Sequence, residues 1–164
     1  MVWFLHNAFL SNRQQCVVTE HCCSDWSTVL SGVPQGSVLG PILFILYVDD
    51  IGAICSANVS HMLFADDLKL YSTIKSDLDR TSLQAALTRL QQWCNDWQLT
   101  INVTKCHVLR IGRIIDKTSH QYFLNGCPIG EADIVSDLGI IIDPILKYEA
   151  HINKLVSKGY SRVG

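Results

Sequence analysis

Two adjacent carboxylates, Asp66 and Asp67, stand between the apolar flanks Met62-Leu63-Phe64-Ala65 and Leu68-Lys69-Leu70-Tyr71. Like charges that close raise each other's pKa unless something neutralises them. A hard divalent cation does so, and Mg²⁺ is commonly held by one or two carboxylates plus substrate phosphates. A solvated turn is the simpler alternative, since Asp is common in turns and two hydrated charges cost little. The apolar flanks speak against it and predict that the pair sits on buried strands. A second acidic pair closes Tyr47-Val48-Asp49-Asp50. His21-Cys22-Cys23 is the only metal-like grouping with soft donors. Adjacent cysteines suit tetrahedral zinc poorly, and no second ligand pair follows at finger spacing. The seven cysteines, an odd number without Cys-x-x-Cys spacing, read as reduced, mostly buried thiols of an intracellular protein.

The elements around these residues follow from pattern and punctuation. His61 to Ser72 reads as a hairpin with Asp66-Asp67 at its tip. Val2 to Leu10 reads as the end of a helix stopped by Ser11-Asn12-Arg13, and Cys16 to Thr19 as a short strand. Ser31-Gly32-Val33-Pro34-Gln35-Gly36 is a Gly/Pro-punctuated loop, after which Ser37 to about Val48 predicts a buried helix opening near Pro41. Ser76 and Asp79 form a capping-box pattern, and the helix they open carries Leu83, Leu87, Leu90, Cys94 and Trp97 on one face. Trp93 and Trp97, four apart, read as core rather than as base-stacking platforms. Cys106 to Ile111 predicts a strand, Asn125-Gly126 a tight hairpin, and Leu138 to Ile142 a buried strand ended by Asp143-Pro144. From Tyr148 onward Ile152, Leu155, Val156 and Gly159 follow helical spacing. Strands and helices mix without regular alternation, so the fold class is α+β.

Composition bounds the function. The 164 residues are 48% hydrophobic and 17% charged, a globular balance, and a chain of this size buries roughly 70% of its unfolded surface. Thirteen Lys and Arg against fifteen Asp and Glu leave a formal charge of -2, which excludes a basic nucleic-acid module of the usual kind. The longest apolar run, Val38 to Val48, is far short of the roughly twenty residues of a membrane span, so no membrane is expected. No basic leader precedes the apolar start, so no signal peptide is expected, and no repeat or linker divides the chain.

Ser31-Gly32-Val33-Pro34-Gln35-Gly36-Ser37-Val38-Leu39-Gly40-Pro41, followed by Phe64-Ala65-Asp66-Asp67, resembles the reverse transcriptases of non-LTR (LINE-type) retrotransposons. The first block is similar to that family's nucleotide- and template-contacting motif, the second to its form of the catalytic Tyr-x-Asp-Asp hairpin. Leu90, Trp93, Trp97, Leu99, Asn102 and Lys105 match the next block. Leu138-Gly139, Asp143, Leu146, His151-Ile152 and Lys158 match the primer-grip region and the start of the thumb. Leu10-Ser11-Asn12-Arg13-Gln14-Gln15 matches the segment before the first block, so the resemblance covers essentially the whole chain. Tyr47-Val48-Asp49-Asp50 is closer, letter for letter, to the retroviral tetrapeptide. It begins only eleven residues after Gly36, where a helix must intervene, so it is expected at a helix end.

The resemblance implies a partial polymerase palm, an antiparallel sheet with packed helices, over 1–112, and the primer-grip region with the start of a thumb over 113–164. It implies an RNA-directed DNA polymerase that adds dNTPs to a DNA primer on an RNA template by two-ion Mg²⁺ chemistry. Asp66 and Asp67 are then metal ligands and catalytic residues. Gln35, Gly36 and Phe64 would border the incoming nucleotide, and Lys105 would lie near the leaving pyrophosphate, where a cation donates a proton or neutralises charge. The plain alternatives are a helix-entry turn at Gln35-Gly36 and a solvated lysine at a strand start. His151 reads as structural. A nuclear location follows only from the family's habit of copying at the chromosomal target. The family's Phe-x-Asp-x-x-x-Ala-Phe-Asp block, which carries a third carboxylate, does not occur in these 164 residues, and neither do fingers. Glu20 and Asp25 are the acids ahead of the Gln-Gly loop, in unlike surroundings. The chain is therefore expected to be a fragment, inactive alone. The alternative from another class is a non-catalytic remnant of a decayed retroelement, acting at most as an interaction module.

Overall fold

Caps and turns cut this chain into short strands and amphipathic helices. The structure is a computed structural model that describes residues 10–30, 32–33, 36–112 and 120–163. In chain order the elements are β1 (Gln14–Gln15), β2 (Ser27–Thr28), α1 (Gly40–Val48), a 3-10 turn (Asp49–Ile54), β3 (Ser60–Phe64) and β4 (Asp67–Tyr71). There follow α2 (Asp77–Asp96), a 3-10 turn (Val103–Lys105), β5 (His107–Val108), β6 (Phe123–Leu124), β7 (Cys127–Pro128), β8 (Gly130–Glu131), β9 (Val135–Asp137), β10 (Ile140–Ile142) and α3 (Glu149–Val163). The described residues of 1–51 and 63–68 form one compact unit, and those of 52–62 and 69–164 a second. The mixed helix and strand content agrees with the α+β expectation. Among the described residues the strands pair as two-stranded sheets, and β5–β8 is parallel where an antiparallel palm sheet was expected. No helix among them is long and apolar enough to cross a membrane.

In the first unit β1 pairs antiparallel with β2, Gln14 opposite Thr28 and Gln15 opposite Ser27. The strand expected over Cys16–Thr19 is displaced. Pairing stops at Gln15 and resumes only as a bridge between Val18 and Cys23, because the return limb carries one residue more than the outgoing limb. The helix expected at Val2 to Leu10 lies outside the described residues except for Leu10, which is helical. Helix α1 forms where Pro41 predicts it, with Pro41 in its first turn, and the Gly40 N–H donates to Ser37 Oγ at 2.9 Å. Its expected burial is only partial. Gly40, Leu43, Phe44, Tyr47 and Val48 make a covered stripe at helical spacing, while Ile42, Ile45 and Leu46 are 53%, 63% and 65% exposed. The helix is apolar all round, and one strip of contact cannot cover every face.

The second unit is built on α2. Asp79 Oδ2 accepts from the Lys75 and Ser76 backbone N–H groups and from the Ser76 hydroxyl, each at 2.9 Å, so the expected capping box is present. Tyr122, Leu124 and Ile129 form its buried core, with Leu83, Leu87, Ile101, Val103, Cys106 and Val108 packed around them. Leu90 and Cys94 are buried as the helix face predicts. Trp93 is buried too, but Trp97 stays 40% exposed beside it, ring centres 6.2 Å apart. Of the seven cysteines, all free, only Cys94 is buried, which corrects the expectation of mostly buried thiols.

The predicted Asn125-Gly126 hairpin joins β6 to β7, with φ of 52° and 72° at the two turn residues, a conformation this pair adopts cheaply. The strand expected over Cys106–Ile111 shortens to β5. The one expected over Leu138–Ile142 shortens to β10, because Leu138 and Gly139, at φ 47° and 86°, turn the chain back onto β9. Helix α3 forms as its spacing predicts, and the Ile141 N–H donates to His151 Nδ1 at 3.4 Å, a structural use of that histidine.

Gln84 of α2 grips the edge of β6. Its Nε2 donates to the Phe123 carbonyl and its Oε1 accepts from the Phe123 N–H, both at 2.9 Å. A Gln84→Ala chain is expected to lose about 1–2 kcal/mol from these two bonds, read as a lower urea midpoint at unchanged slope.

Acid should weaken the same unit. The Lys75 N–H first, then the Ser76 hydroxyl, hold the Asp79 carboxyl below the ordinary carboxylate range. The Arg110 guanidinium does the same for Glu131. A carboxyl lowered in the fold contributes stability that is present above its unfolded pKa and is lost as pH falls through the folded value. The urea midpoints of the native chain and of Asp79→Asn are expected to differ near neutral pH and to converge as the pH falls through the lowered Asp79 value.

Candidate functional site

The acidic hairpin forms as expected. Strand β3 runs to Phe64, Ala65 and Asp66 make a two-residue turn, and Asp67 opens β4. Ser72 Oγ donates to the Asn58 carbonyl at 2.6 Å and closes the hairpin's base. Ala65 has φ of 51°, a left-handed backbone that costs a residue with a Cβ about 1–2 kcal/mol. Asn125-Gly126 shows the cheaper solution in the same chain. The strain sits at Ala65, where a glycine would be relaxed, immediately before the Asp66 carboxylate.

The flanking strands are not buried, contrary to the expectation from their apolar residues. Met62, Leu63 and Phe64 are exposed, Phe64 by 62%, and Asp66 and Asp67 stand in solvent. Apolar residues occupy both faces of β3, which is exposed along its length, whereas Leu68, Lys69 and Leu70 of β4 are half-buried. Among the described residues neither aspartate side chain has a hydrogen bond or ion pair. The turn therefore presents two uncommitted carboxylates, hard oxygen donors of the kind Mg²⁺ takes. No group of three or more His, Cys, Asp or Glu side chains stands together among the described residues. The donor set is thus a pair, and a pair completed by substrate phosphates fits that ion.

Gly36, in the same unit as Asp66 and Asp67, has φ of 75°, and nothing lies within 4 Å of where its Cβ would stand. Its left-handed backbone, not protein crowding, requires glycine there. Gln35 lies outside the described residues. Arg13 ties the loop's start, its Nη2 donating to the Gly32 carbonyl at 2.5 Å and its Nε to that of Leu10 at 3.2 Å.

Lys105 ends the 3-10 turn just before β5, exposed, at the strand start where it was expected. Asn102 shapes that turn, its Oδ1 accepting from the Thr104 N–H at 3.1 Å and the Thr104 hydroxyl at 2.6 Å. Lys105 belongs to the second unit. Tyr47 and Val48 are helical, and Asp49-Asp50 opens the 3-10 turn after α1, so that acidic pair sits at a helix end and not on a hairpin. Spacing gave no hint of a further contact: Lys69 of β4 makes an ion pair with Asp137 of β9, Nζ to Oδ2 2.6 Å. Local pattern cannot reveal it, because the partners are far apart in the chain.

Residues 5–142 match the family described as reverse transcriptase (RNA-dependent DNA polymerase). The chain belongs to the reverse transcriptase family. Its resemblance to the reverse transcriptases of non-LTR retrotransposons is borne out by curated relatives. The RNA-directed DNA polymerase from mobile element jockey of Drosophila melanogaster is 30% identical over 161 residues, covering 94% of this chain and 18% of that protein. The protein of the same description in Drosophila funebris is 27% identical over 166 residues, covering 97% of this chain and 18% of its own length. A probable RNA-directed DNA polymerase from transposon BS of Drosophila melanogaster is 28% identical over 170 residues, covering 95% and 18%. This reverse transcriptase chain thus spans about 18% of the length of these relatives. No solved structure matches it.

Proposed function

We propose that the chain is the part of a reverse-transcriptase palm that carries the metal-binding turn, over 1–112, followed by the primer-grip region and the start of the thumb over 113–164. The reaction served is RNA-templated addition of dNTPs to a DNA primer. The observation that carries this reading is the strained two-residue turn with two uncommitted carboxylates, in a chain matched to the family through that turn.

Asp66 and Asp67 hold Mg²⁺ through their carboxylate oxygens. When bound, the ions supply Lewis-acid activation of the primer hydroxyl and stabilise charge on the triphosphate. Phe64, beside the turn, and Gln35-Gly36 border the incoming nucleotide, where the left-handed glycine lets the backbone pass close to it. Lys105 neutralises charge on the departing pyrophosphate.

The test is a titration of the isotope-labelled chain with Mn²⁺, a paramagnetic stand-in for Mg²⁺. Resonances of residues 64–68 are expected to broaden first, well before those of 49–50. Broadening centred on Asp49 and Asp50, or spread evenly over all exposed carboxylates, would refute the assignment.

A further inference from the structure

A strand alternates its side chains, so Asp67 and Lys69 of β4 project from the same face. Adjacent positions on one face lie about 6.6–6.8 Å apart along the strand. A lysine ammonium on its flexible four-carbon stem reaches that far. Nothing in β4 itself would keep Lys69 from folding back onto the Asp67 carboxylate, yet in the structure its ammonium is 2.6 Å from Asp137 Oδ2. The partner is well placed for this. Asp137 ends β9, immediately before the Leu138-Gly139 turn, and β10 pairs with it through Ile140. Its side chain is only 23% exposed, and that of Lys69 35%. The Asp67 side chain is left without a partner among the described residues.

We propose that Asp137 is a positioning residue for the aspartate turn: by holding the Lys69 ammonium it keeps that cation off Asp67 and leaves the carboxylate open to a divalent ion. The inference rests on the metal reading of Asp66 and Asp67 and adds a residue that spacing does not single out. A lysine paired with Asp67 would have to be displaced before a metal ion could bind. A lysine paired with Asp137 does not compete.

The charge arithmetic gives a discriminating experiment. Removing the Asp137 charge has two effects: a direct loss of attraction for any cation nearby, and the release of Lys69. Only the second needs the lysine. In the full 164-residue chain at low salt, Asp137→Asn is expected to weaken Mn²⁺ binding at residues 64–68 about threefold, the scale of one exposed ion pair. In the K69Q background the same Asp137→Asn change is expected to weaken binding clearly less, by the direct charge effect alone. An unchanged Mn²⁺ affinity in D137N overturns the proposal. So does an equal weakening with and without Lys69, since that would be the direct charge effect alone.

A second measurement needs no metal. The hydrogen-bond scalar coupling from Lys69 Nζ is expected to reach the Asp137 carboxyl carbon in the native chain and the Asp67 carboxyl carbon in D137N. Failure to find the Asp67 coupling overturns the positioning role even if Mn²⁺ binds at the turn. If the coupling moves as expected while the native chain binds no Mn²⁺ there, the metal reading fails and the lysine's restraint by Asp137 stands.

Discussion

A Leu124→Ala chain is expected to lose about 2–5 kcal/mol of stability, the cost of emptying a buried leucine site. Leu124 is 3% exposed and shares its core with Tyr122 and Ile129 beneath α2. The backbone around it is fixed from both sides. Gln84 holds Phe123, and Gln91 Oε1 accepts from the Asn125 N–H at 3.0 Å, so the β6 strand cannot slide inward to fill the space. That rigidity predicts a value toward the upper part of the range. Against a typical total of about 5–15 kcal/mol, a loss of this size threatens folding itself. Urea unfolding followed by the fluorescence of buried Trp93 would read it. Leu46→Ala is the control, since Leu46 is 65% exposed on α1 and its loss should stay within about 0.5 kcal/mol. Equal midpoints for the two variants would mean that β6 and α2 do not form the core described.

The parts of this fold that were legible in the sequence are those whose cause is local. Ser76 and Asp79 state a helix start in four residues, Asn125-Gly126 states a turn in two, and Pro41 states a first turn by its fixed φ. The acidic hairpin was legible for the same reason, as apolar residues on both sides of a polar tip. Burial was not. Ile42, Ile45, Leu46, Met62 and Phe64 are apolar, but whether an apolar face is covered depends on what lies opposite, which no local window contains. Pairing between distant segments was equally hidden. Nothing in His107-Val108 announces Gly130-Glu131 as a parallel neighbour, and nothing near Lys69 announces Asp137. Within the candidate site the donors were legible and the contacts that hold or restrain them were not.

An Asp66→Ala chain is expected to bind Mn²⁺ at the turn at least about tenfold more weakly than the native chain, a difference of about 1.4 kcal/mol. The turn offers two carboxylates and no third donor of His, Cys, Asp or Glu type stands with them among the described residues. Deleting one therefore removes half of the anionic oxygen at the site. Asp67→Ala should act in the same direction, whereas Asp49→Ala should leave the broadening at 64–68 unchanged, since Asp49 lies in the 3-10 turn after α1. Folding is a poor alternative explanation for such a loss. Asp66 is exposed and its side chain makes no hydrogen bond among the described residues, so its replacement should leave the urea midpoint within about 0.5 kcal/mol of native. The same two-carboxylate count governs catalysis by this polypeptide. Clamping both the attacking and the leaving oxygen takes two ions, and the turn supplies too few anionic ligands to hold both without help. Supplied with a primed RNA template, dNTPs and either Mg²⁺ or Mn²⁺, the 164-residue chain is expected to extend no primer. Extension that Asp66→Ala abolishes would overturn that expectation, and it would also show that Asp66 and Asp67 suffice with whatever oxygen ligands the substrate brings.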